Sequence, residues 1–235
     1  MRAQVFFTPG EVDPAAIQGA TVVVIDVVRA STMVEALANG ARAIYPTAST
    51  EEAVRLATSL GRDDTLLCGE RKGVKVEGFD LGNSPEEFSA DVVEGKRLVM
   101  STTNGTGALV RVQEAERVVV CAYTNLGAVA DSVRGAGHLV MVCAGRVGRF
   151  SLDDALCAGH LLRRLGDGHD LNDAARAVAA LAGVVSADEA FLRSTEAGKT
   201  LEEIGLGADL AICGQVDRHH LVAELRDQAL VAAGS

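Results

Sequence analysis

Apolar positions along this chain gather into short runs. Residues 21–25 (TVVVI), 98–100 (LVM), 118–120 (VVV) and 139–142 (LVMV) are rich in β-branched side chains, and each stands near a polar or glycine-containing loop. Continuous apolar runs of this length are the pattern of strands buried on both faces. Helical spacing follows several of them, over 32–37, 107–112 and 155–165. Strand, loop and helix in repeated alternation predict an α/β fold around a mainly parallel sheet. Ligands of such sheets collect beyond the carboxyl ends of the strands. The loops IDVVRAST (25–32), STTNGT (101–106) and CAGRVGRFSLDD (143–154) are therefore expected at one edge.

Two stretches echo one another, 21–46 and 95–120, each running strand, Thr-containing loop, short helix, strand. Repeated βα units look alike for packing reasons alone, so the reading stays with one catalytic domain over 1–235, or two closely packed subdomains of similar βα halves with no assigned boundary. The most irregular segment is 69–85, GERKGVKVEGFDLGNSP. Long polar connections of this kind carry function more often than structure.

Composition changes the picture in three ways. With 235 residues and 48% hydrophobic content the chain buries a full core, but aromatics are 3% and Trp is absent, so Val, Leu, Ile and Ala must build it. A formal net charge of −10 argues against nucleic-acid or anionic-membrane partners, so an anionic substrate needs local arginines or a metal cation. The five cysteines contain no C-x-x-C pair, MRAQVFFTPG has no long apolar segment, and no apolar run approaches a bilayer span. The default expectation is a soluble cytoplasmic protein.

The candidate chemistry begins at 99–109, VMSTTNGTGAL, where a strand gives way to five small polar or glycine positions before a helix. A capped turn and an anion site at a helix N-terminus both fit. Other motifs fail. AGKT at 197–200 resembles the end of a phosphate-binding loop, but Arg193 stands where that loop demands Gly. The G-x-G-x-x-G pattern begun at Gly105 breaks at Val110, and Val28 occupies the place of the second Asp of haloacid-dehalogenase-type phosphatases. Cys143 to Arg149 has the Cys-x5-Arg spacing of cysteine phosphatases, yet its glycines are offset and Phe150 replaces a hydroxyl residue. Packing is the commoner role of such a thiol.

The carboxylates Asp26, Glu70, Asp80, Asp153 and Asp154 each have a structural explanation: Ser151 with Asp154 approximates a capping box, and Ser84, Pro85 and Glu87 form one. Taken together with Arg29, Arg71 and Arg146, they suggest Mg²⁺ and phosphate, since Mg²⁺ is held by one or two carboxylates plus water and substrate oxygens.

In their order, IDVVRAST, ALANGA, GERKGVKVEGFDLGNSP, TTNGTGAL, CAGRVGRFSLDDALCAG and DLAICG resemble the blocks of the 2-phosphosulfolactate phosphatase (ComB) family, over about residues 5–215. The resemblance implies a three-layer α/β/α protein and a Mg²⁺-dependent hydrolase on the phosphoenolpyruvate route to coenzyme M, releasing sulfolactate and phosphate. For such a reaction Asp26, Arg29 and Glu70 are the expected catalytic residues, and Asp26 is the first choice of metal ligand, with Glu70 and Asp154 supporting it. Arg71, Asn83, Thr102, Thr103, Asn104, Gly105, Thr106, Cys143, Gly145 and Arg146 are then expected around the small anionic phosphorylated substrate. TTNGT reads in this light as an anion cradle. The chain departs from the family at Asp153, where Glu is usual, and in its tail HHLVAELRDQ. The nucleophile stays open between metal-activated water, Asp26 and Cys143, and so does assembly as a homo-oligomer. Two alternatives remain: a phosphatase of another small phosphorylated hydroxy acid, and a non-catalytic binding protein for such a metabolite.

Overall fold

A computed structural model of the chain describes residues 1–71, 73–102 and 105–233. In chain order the strands are β1 (Arg2–Phe6), β2 (Thr21–Ile25), β3 (Ala43–Pro46), β4 (Thr65–Arg71), β5 (Val74–Lys75), β6 (Arg97–Ser101), β7 (Arg117–Cys121), β8 (His138–Cys143), β9 (Asp170–Leu171), β10 (Ala223–Arg226) and β11 (Ala229–Ala232). The helices are α1 (Pro14–Ile17), α2 (Val27–Ala38), α3 (Thr50–Leu60), α4 (Ala90–Val93), α5 (Gly105–Val112), α6 (Leu126–Val133), α7 (Leu152–Leu165), α8 (Asp173–Leu181), α9 (Glu189–Ser194), α10 (Glu196–Glu203) and α11 (Asp209–Cys213).

The strands make one mixed sheet in the order β5-β4-β6-β3-β11-β10-β7-β2-β8-β1-β9. Two blocks of it are parallel, β4-β6-β3 and β7-β2-β8-β1-β9. Between them lies the β10–β11 hairpin, antiparallel to β7 on one side and to β3 on the other. Its two-residue turn puts Asp227 and Gln228 at positive φ, 49° and 65°, the backbone twist that tight hairpins favour.

The Val-rich strands explain the layers. Along β2, Val23 and Ile25 pack with Leu126, Val129 and Leu161 of α6 and α7, whereas Val22 and Val24 pack with Met33, Leu37 and Leu109 of α2 and α5. A strand apolar on both faces needs helices on both, and the result is a three-layer α/β/α protein. All five cysteines are free and buried in this core. Among the described residues no helix is long and apolar enough to cross a membrane.

Helix α2 runs through the middle of the molecule and is buried on most of its surface. Asp26 begins it, its Oδ1 accepting from Arg29 N at 3.1 Å. Near its other end Glu35 is buried and is answered by Arg218 and His219 from the connection between α11 and β10.

Candidate active site

A cavity of about 380 Å³ opens beyond the carboxyl ends of β2, β4 and β8. Each strand delivers a charged or close-fitting residue to it: Asp26 just after β2, Glu70 near the end of β4, Gly145 and Arg146 just after β8. Gly145 is required there. Its φ is 66°, and a Cβ would lie 2.4 Å from the Arg149 carbonyl oxygen. The first turn of α7 adds Ser151, Asp153 and Asp154, and α10 closes the far wall with Ala197, Thr200, Leu201 and Ile204.

Three aspartates meet here, Asp153 and Asp154 buried and Asp26 half-buried. Asp154 holds the walls together, accepting from Val27 N at 2.8 Å through Oδ1 and from Gly145 N at 3.0 Å through Oδ2. It thereby ties the start of α2 to the loop after β8. Asp153 accepts from Ser151 Oγ, so that hydroxyl is spent on its neighbour and does not cap α7. Asp26 keeps Oδ2 buried without a hydrogen-bond partner among the described residues.

Burial pushes all three carboxyls above the usual carboxylate range, Asp26 to about 6. For Asp26 the Arg29 charge and N–H oppose the rise while the charges of Asp153 and Glu70 add to it. For Asp154 the charges of Asp153 and Asp26 add to burial. A pocket that crowds negative groups in this way favours a cation. Among the described residues no group of three or more His, Cys, Asp or Glu side chains converges closely enough to hold a metal by itself. An ion bound here would keep several oxygens from water or substrate, the habit of Mg²⁺.

Arg29 is the inner cation. Its Nη2 lies 3.6 Å from Glu70 Oε1, and the Asn83 amide oxygen, turned toward it, accepts from Nη1 at 2.9 Å and Nε at 3.2 Å. Asn83 is itself fixed by Thr32 Oγ1, which donates to its carbonyl at 2.8 Å. Glu70 Oε2 accepts from Gly73 N at 2.6 Å, which folds the β4–β5 turn against the cavity. Arg146 is the outer cation, 40% exposed, and its Nη2 donates to Thr200 Oγ1 at 2.8 Å.

The structure thus gathers Asp26, Arg29, Glu70, Gly145, Arg146 and Asp154 around one cavity, with Asn83 directly behind Arg29. Arg71 turns elsewhere, donating to the Glu70 carbonyl and to Ser101 Oγ at 2.8 Å each. Thr102 is buried just past β6, and Gly105 and Thr106 open α5. Thr103 and Asn104 lie outside the described residues. Cys143 is fully buried at the end of β8, and burial raises its thiol well above the ordinary value, with Asp154 and Asp153 adding to the effect.

Sequence reasoning counts Asp153 among the carboxylates that suggest Mg²⁺ but gives it no role in the site, and it does not select Ser151 or Thr200. Asp153 carried a signal, because it adjoins Asp154 at the head of a helix beyond a strand end. Ser151 looked like a cap, and Thr200 belonged to a motif set aside for good reason.

Fold and site together define a class: a three-layer α/β protein whose sheet edge holds a small cavity with buried carboxylates and two arginines, suited to a small anion and a cation. The chain belongs to the 2-phosphosulpholactate phosphatase family, whose model it matches over residues 6–228. A relative from Thermotoga petrophila named as a probable 2-phosphosulfolactate phosphatase is 39% identical over 207 residues, 87% of this chain and 88% of the relative. One of the same name from Clostridium perfringens is 36% identical over 234 residues, 97% of this chain and 94% of the relative.

Proposed function

We propose that this chain is a phosphoric monoester hydrolase that cleaves 2-phosphosulfolactate to sulfolactate and inorganic phosphate with the help of Mg²⁺. The observation that carries the reading is Asp26: a half-buried residue whose Oδ2 is itself buried and has no hydrogen-bond partner among the described residues, in the same cavity as Arg29 and Arg146. Burying such an oxygen is costly unless something binds it. Asp26 would be the principal ligand of the ion, with Glu70 and Asp154 lining the same cavity without closing a three-carboxylate cage around it. When bound, the ion neutralises phosphoryl oxygens and lowers the pKa of water.

The chain's own residues do the rest. Arg29, aligned by Asn83 and Glu70, is placed to bridge two phosphoryl oxygens. Asp154 fixes the geometry by joining two loops, and the apolar wall of Leu201 and Ile204 limits access of bulk water. On this reading the step belongs to the route toward coenzyme M, in the cytoplasm, as the family resemblance implies.

Phosphate release by purified protein tests the reading. Turnover of 2-phosphosulfolactate is expected with Mg²⁺, is abolished by excess EDTA, and returns when Mg²⁺ is restored. Full activity in EDTA overturns the metal, and a stronger preference for another phosphorylated hydroxy acid in a substrate panel overturns the named substrate.

A further inference from the structure

The AGKT stretch is no phosphate loop, and the structure gives its residues a different purpose. Gly198 is there for packing: a Cβ would sit 2.0 Å from the Leu192 carbonyl oxygen, so α10 can lie this close to α9 only with glycine. Thr195 caps α10, accepting from Gly198 N at 3.0 Å. At the other end of the helix Ile204 rests on Gly73, where a Cβ would meet Ile204 Cδ1 at 2.3 Å. Helix α10 is therefore seated against both α9 and the β4–β5 turn, and it holds Thr200 at a fixed place in the cavity wall.

Thr200 Oγ1 donates its proton to the Glu196 carbonyl at 2.9 Å. With that proton committed, its oxygen is an acceptor only, and it accepts from Arg146 Nη2. Thr200 thus aligns the Arg146 guanidinium but cannot itself donate to an anion. Arg146 also faces the buried Asp153 carboxylate, and it pairs with Glu196 at 3.6 Å, where Glu196 is 86% exposed, a solvent-screened pair that a bound anion can replace. Arg29, by contrast, is engaged deep in the cavity beside Asp26.

We infer that Arg146, aligned by Thr200, forms a second anion subsite that takes the sulfonate and so selects substrates carrying a strong acid group beyond the phosphate. This rests on the phosphatase reading above and adds a division of labour to it, with Arg29 on the phosphoryl group and Arg146 on the sulfonate. A guanidinium held at one edge can meet two sulfonate oxygens at once. Arg146 is the contact and Thr200 a positioning residue.

The test compares wild type, Arg146→Gln, Thr200→Val and Thr200→Ser. Turnover is measured on 2-phosphosulfolactate and 2-phospholactate, and binding of sulfolactate and lactate by calorimetry. Wild type is expected to favour the sulfonated member of each pair. Thr200→Val should cut that preference by about tenfold, the scale of a hydrogen bond that aligns a charge, through KM with kcat little changed. Thr200→Ser should restore it, and Arg146→Gln should remove it. No preference in wild type, equal losses on both substrates, or an undiminished preference in Arg146→Gln overturns the subsite. If sulfolactate binds with this dependence but no phosphate is released from either substrate, the subsite stands and the phosphatase reading fails.

Discussion

At the scale of single residues, Asp26 concentrates the conflict that the site depends on. Its carboxyl is pushed up to about 6 chiefly by burial, so in the metal-free protein its charged form is a liability. A raised carboxyl adds most to stability below its unfolded value of roughly 4 and loses that contribution as pH rises through about 6. Asp26→Asn keeps the shape and an N-cap oxygen. The metal-free variant should therefore melt no lower than wild type at pH 7, and its relative advantage should grow between pH 4 and 7. Its turnover should fall by at least ~100-fold, the scale of losing a principal electrostatic element, with weakened Mg²⁺ affinity. Unchanged affinity and near-normal turnover would remove Asp26 from the site. Cys143 makes the opposite case. A thiol raised by burial is a poor nucleophile at neutral pH, so Cys143→Ser should retain substantial turnover, and complete loss in a folded variant would revive the thiolate mechanism.

Among elements, the turn after β8 carries the clearest strain. Arg146 and Arg149 exchange backbone hydrogen bonds, 2.8 and 3.0 Å, across Val147 and Gly148, whose φ values are 50° and 70°. Glycine suits that backbone and a β-branched residue does not. Val147, 73% exposed and lining the cavity rim, holds a conformation that costs about 1–2 kcal/mol. Val147→Asn, which tolerates the left-handed region, should raise the melting temperature by a few degrees; a lower one would show that the valine side chain earns its place by packing. The same element scale shows what the sequence made readable. The run at 21–25 is β2, and the runs at 98–100, 118–120 and 139–142 lie inside β6, β7 and β8. Helix spacing at 155–165 lies within α7, and that at 107–112 within α5. Helix α2 starts five residues before the expected 32, because Val27 and Val28 look like strand residues until Asp26 caps them. The gathering of Asp26, Gly145, Arg146 and Asp154 followed from their places beyond strand ends. The position of Thr200 did not, since it depends on how α9 and α10 pack, which no local pattern encodes.

For the whole molecule, the connection before β10 is secured by one buried acid. Glu35 accepts from Arg218 Nε at 2.9 Å and Nη2 at 3.1 Å, and His219 Nε2 lies 2.7 Å away. Burial opposes its charge, but the bonds from Arg218 and His219 outweigh it and lower the carboxyl below its ordinary value. Such a group stabilises the fold above roughly pH 4 and loses that contribution as pH falls through its depressed value. Glu35→Gln should cost about 1–3 kcal/mol at pH 7, and the gap in chemical denaturation should close as the buffer is made strongly acidic. A pH-independent gap would assign the loss to packing alone. The β10–β11 hairpin that this connection leads into was the least legible part of the fold. Its strands are four residues each and partly polar, and nothing near them in the chain announces that their partners are β7 and β3.

That hairpin sets a schedule for the molecule's synthesis. The inner edge strands of the two parallel blocks, β3 and β7, leave the ribosome long before Ala223–Ala232 does. About 100 residues separate Cys121 from Ala223, so at roughly 5–20 residues per second β7 waits on the order of 5–20 s with the edge that β10 will cover unpaired, and β3 waits longer for β11. Exposed edges of this kind invite pairing with other chains. A nascent chain halted in that interval is the form in which this protein is most exposed to aggregation and most in need of a chaperone.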